Sequence, residues 1–332
     1  MDEQEAAIDV PLLREPETIS LAHAQTLLAA LRDNIESVFI GKGEVVAHLL
    51  VGLLSRGHVL IEDVPGVGKT ILARAIARSL DCTFSRIQLT PDLLPSDILG
   101  VSIFNEKTAA FDFQRGPIFA HIVLADEINR TSPRTQSALL EAMSEAQVSI
   151  DGRCLKLEEP FMLIATQNPH EFEGTYFLPE NQLDRFTLRL RIGYPGREFE
   201  RRILRQQPDR SMIDQLKPVT RREDVLALQR LASTVRTDDE LTSYALDLVD
   251  ATRRHDQLEV GVSPRGTLSL IRAAQSLALL EGRDYIIPDD IKSLVIPVCA
   301  HRIVSKSYLQ NGRIAAVESI LSEIIERIPV PT

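Results

Sequence analysis

The sequence predicts an α/β fold: a mostly parallel sheet between helices, interrupted by two β-hairpins and followed by a smaller, all-α region. Three observations predict it. Short β-branched or apolar runs alternate with helical spacings between residues 58 and 192, which is the pattern of βαβ units. The runs Ile122–Ala125 and Met162–Ala165 are apolar throughout, as strands covered on both faces are. Beyond residue 196 the strand pattern fades and helical spacing alone remains.

In chain order, residues 1–17 read as a flexible acidic leader containing Pro11 and Pro16. Leu21, Leu28, Leu31, Ile35 and Val38 then recur at the spacing of an amphipathic helix. A second helix is expected from about Glu44 to Ser55, stopping near Gly57. The expected strands are His58–Glu62, Thr83–Leu89, His121–Ala125, Phe161–Thr166 and Thr187–Ile192, with helices starting near Lys69 and Pro133. Residues 100–113 alternate and turn near 105–108. Val148–Leu157 turns at Asp151-Gly152, a hairpin dipeptide. Both segments are expected as hairpins inserted in the core. Tyr194-Pro195-Gly196 marks a boundary. Helical patterns follow near 197–206, 221–235, 239–256, 265–281, 288–300 and 314–327. The expected organisation is a leader (1–17), an αβα core (18–196) and a helical domain (197–332).

The 332 residues leave room for two domains and a core without staples. Lys plus Arg total 37 and Asp plus Glu 47, giving a net charge of −10. Residues 1–166 hold 14 basic and 23 acidic side chains, a net of −9; residues 167–332 hold 23 and 24, a net of −1. This balance counts against nucleic acid as a partner, because phosphate backbones call for a basic face. No apolar run approaches the ~18 residues of a membrane span. The acidic start lacks the basic segment of a secretory signal. Cys82, Cys154 and Cys299 match no metal spacing and read as small buried side chains of a cytoplasmic protein.

The chemistry begins after the first strand. Asp63-Val64-Pro65-Gly66-Val67-Gly68-Lys69-Thr70 lies between a strand and the helix that Ile71 continues. Strand, glycine loop and helix form the context of a phosphate-binding loop. Glycines let backbone N–H groups turn to phosphate oxygens, and the helix N-terminus adds partial positive charge. Lys69 would reach the β- and γ-phosphates, and Thr70 would bind Mg2+. Asp63 stands where the strict pattern has glycine, so the start of the loop departs from it. The strand Ile122–Ala125 ends in Asp126 and Glu127, at the sheet edge where α/β proteins bind ligands. Asp126 can hold Mg2+ and Glu127 can activate water. Together with the loop they point to nucleotide hydrolysis. No guanine-reading stretch is present, which favours ATP.

These residues resemble the AAA+ ATPases and, within them, the MoxR family. The resemblance rests on DVPGVGKT (63–70), RIQLTPDLLPSDILG (86–100), LADEINRTSPRTQSALLEAM (124–143), IATQNP (164–169), LPENQLDRF (178–186) and SPRG (263–266), and covers most of 19–300. It implies a P-loop NTPase αβα core with parallel sheet, a helical lid, and a homo-oligomeric ring, usually a hexamer. It also implies chaperone-like remodelling of a client protein complex or cofactor insertion, often with a von Willebrand factor A domain partner. By the resemblance, Asn168 is the first sensor and Arg185 the finger that reaches a neighbour's γ-phosphate. Arg265, after Ser263 and Pro264 at a helix start, is the second sensor on the nucleotide. Ile40 and Gly41 lie where the family packs adenine. Gln88 is placed to hold Glu127 in an inactive pose, and Arg130 and Arg134 are candidates to face a neighbouring site. His255 and His301 read as ordinary helix residues. The competing readings are a nucleotide-gated binding module with little turnover, a DNA-directed motor with Lys107 or Arg153 as its handle, and a magnesium-chelatase-like subunit.

Overall fold

A computed structural model describes residues 19–168, 176–206, 210–306 and 313–331. The leader and Pro169 lie outside the described residues. In chain order the core elements are α1 (Leu21–Val38), α2 (Gly43–Leu54), β1 (Val59–Glu62), α3 (Lys69–Ser79), β2 (Phe84–Gln88), α4 (Pro95–Leu99), β3 (Gly100–Asn105), β4 (Ala110–Arg115), β5 (Ile122–Asp126), α5 (Pro133–Glu145), β6 (Gln147–Ile150), β7 (Arg153–Lys156), β8 (Met162–Gln167), α6 (Glu180–Leu183) and β9 (Leu188–Leu190). There follow α7 (Arg197–Gln206), α8 (Arg210–Asp214), α9 (Arg222–Ser233), α10 (Asp239–Arg254), β10 (Leu258–Val260), α11 (Pro264–Leu280), α12 (Pro288–Cys299), β11 (Val304–Ser305) and α13 (Arg313–Arg327).

Five strands form one parallel sheet in the order β2-β5-β8-β1-β9. The chain leaves β1 through α3 and enters β2 on the far side of β8 and β5, while β9 flanks β1 on the other side. The sheet therefore has its topological switch beside β1, where crevices open at the strand C-termini. Alternate residues serve two layers, as the period of a strand requires. Val59, Ile61, Ile122, Leu124, Met162 and Ile164 join a cluster with α1, α2, α3 and the helices α9–α13. Leu60, Val123, Ala125, Leu163 and Ala165 join a second cluster with α5. Both faces of β1, β5 and β8 are thus buried, which is why these runs lack polar alternation, whereas the edge strand β2 keeps Arg86 and Gln88 exposed.

Caps set the helix starts. The Ser132 hydroxyl accepts from the Thr135 N–H at 3.3 Å, with Pro133 in the first turn. Ser263 does the same for the Gly266 N–H at 3.1 Å, with Pro264 following. Both hairpins are present. β3 pairs with β4 and β6 with β7, each antiparallel. Asp151 and Gly152 both have positive φ (50° and 73°), the two-residue turn that the right-handed strand twist favours.

Two expectations need amendment. The helical region also carries a short antiparallel ribbon, with Leu258 opposite Ser305 and Val260 opposite Val304. Strands of three and two residues are too short to leave a period in the sequence. The cysteines are not uniformly buried: Cys299 is buried, Cys82 is intermediate and Cys154 is exposed on β7. Burial pushes the Cys299 thiol up to about 12 and the Cys82 thiol up to about 11.

Candidate active site

A cavity of about 350 Å³ opens at the C-terminal ends of β1, β5 and β8. It is lined by Pro65, Gly66, Gly68, Lys69, Thr70, Ile71, Arg86, Gln88, Asp126, Glu127 and Asn168. Gly66 and Gly68 have φ of 84° and 96°, a conformation that a side chain resists. Gly68 precedes α3, so the loop presents backbone donors at a helix N-terminus of eleven residues.

Asp63 explains the departure from the strict glycine pattern. Its carboxylate accepts from the N–H groups of Val64 at 2.8 Å, Ile192 at 2.6 Å and Gly193 at 2.6 Å. Its carbonyl accepts from Lys69 Nζ at 2.5 Å. The loop is thereby tied to the end of β9, a job glycine could not do. One residue earlier, Glu62 accepts from Gln167 Nε2 at 2.7 Å and pairs with buried Arg189 at 3.0 Å. Arg189 continues to Glu318 on α13, so the root of the loop is joined to the last helix.

The carboxylate pair is held by a residue the motifs did not single out. The Thr166 hydroxyl donates to Asp126 Oδ1 at 2.6 Å and accepts from the Glu127 N–H at 2.9 Å. Thr166 is fully buried. The available signal was a hydroxyl at the end of an otherwise apolar strand. Glu127 itself sits at φ 60°, ψ 55°, a left-handed conformation costing ~1–3 kcal/mol at a non-glycine residue. Gln88 Nε2 donates to Glu127 Oε2 at 2.8 Å, and Arg130 Nη1 to the same oxygen at 3.0 Å. The Gln88 contact is therefore the one expected, whereas Arg130 is engaged in this chain's own site. Arg134 is exposed at the start of α5. Arg86 was also missed: Nε donates to Asp126 Oδ2 at 3.2 Å and Nη2 to Gln88 Oε1 at 3.0 Å.

Thr70 and Asp126 are the hard oxygen donors that suit Mg2+, which takes few protein ligands and keeps water and phosphate oxygens. Arg86 already sets a cation against Asp126, so the spot accepts positive charge.

The remaining site candidates fall elsewhere. Val67 does not line the cavity; its side chain packs on the apolar cluster, leaving its backbone to the loop. Ile40 and Gly41 are also outside the lining. A Cβ on Gly68 would lie 3.2 Å from the Phe39 ring, so the 39–41 turn does abut the loop. Gly41 has φ 82°, and a Cβ there would meet the Phe199 ring at 2.3 Å; Phe199 of α7 fills the space that the glycine leaves.

The largest correction concerns Arg265. It was expected on the nucleotide, yet it does not line this chain's cavity and lies at the opposite edge of the sheet. His58, before β1, bonds Met143 O at the end of α5 and accepts from the Leu163 N–H. The end of α5 therefore lies at the strand N-termini. Arg185 docks there, donating to Leu140 O at 2.7 Å and Ser144 Oγ at 2.9 Å. Ser263, two residues before Arg265, donates to Asp184 at 3.0 Å, and the Arg265 charge helps to depress His58, second to burial among the lowering causes. Strands of four to six residues put this edge roughly 13–20 Å from the cavity. Helical spacing shows which face of α11 is apolar, but not at which end of the sheet it docks.

Comparison with known proteins completes the assignment. Residues 58–188 match the family model described as ATPase family associated with various cellular activities, and residues 250–324 match an AAA lid domain. Chaperone MoxR1 of Mycobacterium tuberculosis is 41% identical over 319 residues, covering 93% of this chain and 84% of that protein. The chain belongs to the MoxR family of AAA+ ATPases. The uncharacterized protein YeaC of Bacillus subtilis is 50% identical over 92% of this chain and 95% of its own length. A crystal structure from Cytophaga hutchinsonii, of a protein assigned as an ATPase, superposes with a TM-score of 0.86 at 34% identity. It covers 94% of this chain and 97% of that one. No helix among the described residues is long and apolar enough to cross a membrane.

Proposed function

We propose that this MoxR-family protein hydrolyses ATP and works as one subunit of a homo-oligomeric ring, a hexamer by family analogy, that remodels a client protein complex in the cytoplasm. The observation that carries the reading is the convergence of Lys69, Thr70, Asp126, Glu127 and Asn168 on one cavity. In this reading the loop amides and Lys69 bind the β- and γ-phosphates. Thr70 and Asp126 would hold Mg2+, which would offset the phosphate charge when bound. Glu127 takes a proton from the attacking water, and Asn168 orients that water. Arg185 and Arg265, both at the far edge of the sheet, face the neighbouring subunit's site. A von Willebrand factor A domain protein is the proposed partner.

The test is Glu127→Gln in the assembled protein. It should bind ATP with near-normal affinity and hydrolyse it roughly 10²–10⁴-fold more slowly. Near-normal turnover would sink the assignment. Proteins retained by this ATP-locked form identify the client, and their capture should depend on ATP. The hold of Gln88 and Arg130 on Glu127 favours one second reading, a nucleotide-gated binding module. That reading predicts almost no steady-state phosphate release from the assembled wild-type protein.

A further inference from the structure

The loop that carries Arg185 is held by Ser263 at the start of α11, within the SPRG run, and by His301 and Arg302 just after α12, outside every motif that carries the family resemblance. Asp184 accepts from Ser263 Oγ at 3.0 Å and from Arg302 Nε at 2.8 Å. Arg302 Nη2 donates to Phe186 O at 2.7 Å and Nη1 to Thr187 O at 3.2 Å. His301 bonds the same Phe186 carbonyl at 2.9 Å. Arg302 sits just after α12, and its side chain is 1% exposed. On the other side of the node, the Ser263 hydroxyl accepts from the Gly266 N–H and so caps α11. One hydroxyl therefore fixes the helix start that bears Arg265 and holds the carboxylate beside Arg185.

A buried arginine is a costly way to fasten a loop. Removing two charges from water offsets most of their attraction, and apolar side chains of similar size often hold a site as well. Its contribution here is directional. A planar guanidinium spanning a carboxylate and successive carbonyls fixes the orientation of a loop, which apolar contact leaves free.

We propose that Asp184, Ser263 and Arg302 are positioning residues that lock Arg185 and Arg265 into one rigid unit, so that both arginines are delivered together to the neighbouring subunit's triphosphate. The inference rests on the reading that both arginines act across a subunit boundary. The node touches no reacting atom and acts only through the arginines it fixes. Its loss misplaces them by fractions of an ångström to an ångström, which costs turnover much more than ATP binding.

Ser263→Ala removes the tie while leaving Arg302 its carboxylate; Asp184→Asn is the second variant. Each should lower turnover at saturating ATP roughly ten- to hundred-fold and leave KM within about two-fold. The decisive measurement mixes each variant with Glu127→Gln subunits, which cannot hydrolyse ATP yet carry an intact node and Arg185. Arg185→Ala mixed in the same way is the control. Ser263→Ala should regain phosphate release in mixed rings to the level that Arg185→Ala regains, because its own Glu127 is served by an intact neighbour. A loss in Ser263→Ala and Asp184→Asn that mixing leaves uncorrected, while Arg185→Ala is complemented, assigns the node to folding of its own subunit and overturns the proposal alone. Unchanged turnover in both variants overturns it as well. Failure of the Arg185→Ala control overturns the cross-boundary reading, and this inference with it.

Discussion

At the residue scale, function depends on which atom each side chain offers and to what. His58 illustrates how far that is fixed by burial. Its Nε2 faces the Met143 carbonyl at 2.8 Å and its Nδ1 faces the Leu163 N–H at 3.0 Å, so the neutral Nε2–H tautomer satisfies both. A second proton would set two donors against each other in a dry site. Burial pushes the group down to about 4 from 6.5, helped by the Arg265 charge; burial also holds His301 well below its usual value. Between those pKa values the unfolded chain binds the proton that the folded chain refuses, so stability rises with pH there. The contribution of His58 is fully present above pH 6.5 and is lost as pH falls toward 4, amounting to roughly 3 kcal/mol. Unfolding free energy measured from pH 8 to pH 4 should fall below 6.5, and in His58→Gln the slope should flatten by about one proton. An unchanged slope would assign the acid sensitivity to other groups.

At the element scale, the two inserted hairpins stand apart from the sheet that builds the site. β3 and β4 pair only with each other among the described strands, and Phe104 and Phe111 near their tip are 52% and 67% exposed. Their rings meet edge to face at 5.4 Å. Such side chains contribute little to folding, since exposed substitutions cost about 0.5 kcal/mol or less. Phe104→Ser with Phe111→Ser should shift Tm by no more than about 3 °C and leave ATP binding intact, while lowering client retention by the Glu127→Gln form. Calorimetry and co-purification check the two halves. The hairpins were legible in the sequence because Asp151-Gly152 and strict alternation are local signals. The glycine loop before α3 and the carboxylate pair after β5 were legible for the same reason, as contiguous runs next to a strand. Thr166, Arg86 and Asp63 were not, since their roles lie in partners forty to 130 residues away. Arg265 lies outside this chain's cavity, because a motif at a helix start, read by resemblance, does not say which end of the sheet that helix meets.

At the scale of the whole molecule, the cavity and the arginines lie at opposite edges of one sheet. No closure within a single chain brings Arg185 across roughly 13–20 Å of strand to its own Thr70 and Asp126. A contact between two different faces of identical subunits is heterologous, and it closes as a ring or continues as a filament. The charge distribution fits this arrangement: residues 1–166 carry −9 and residues 167–332 only −1. The acidic half already places Lys69 and Arg86 in the cavity, and in the proposed ring a neighbour's Arg185 and Arg265, from the less acidic half, would add to that positive charge. Turnover per subunit should consequently rise with protein concentration and reach a plateau once assembly is complete, in parallel with the mass seen by light scattering. Arg185→Ala should assemble over the same concentration range yet stay roughly 10³-fold or more below that plateau. Loss of its contacts to Leu140 and Ser144 should cost only ~1 kcal/mol of stability, so melting temperature separates a missing finger from a damaged fold. Turnover per subunit that is constant from the monomer upward would place every catalytic group in one chain, and the far-edge arginines would then need another role.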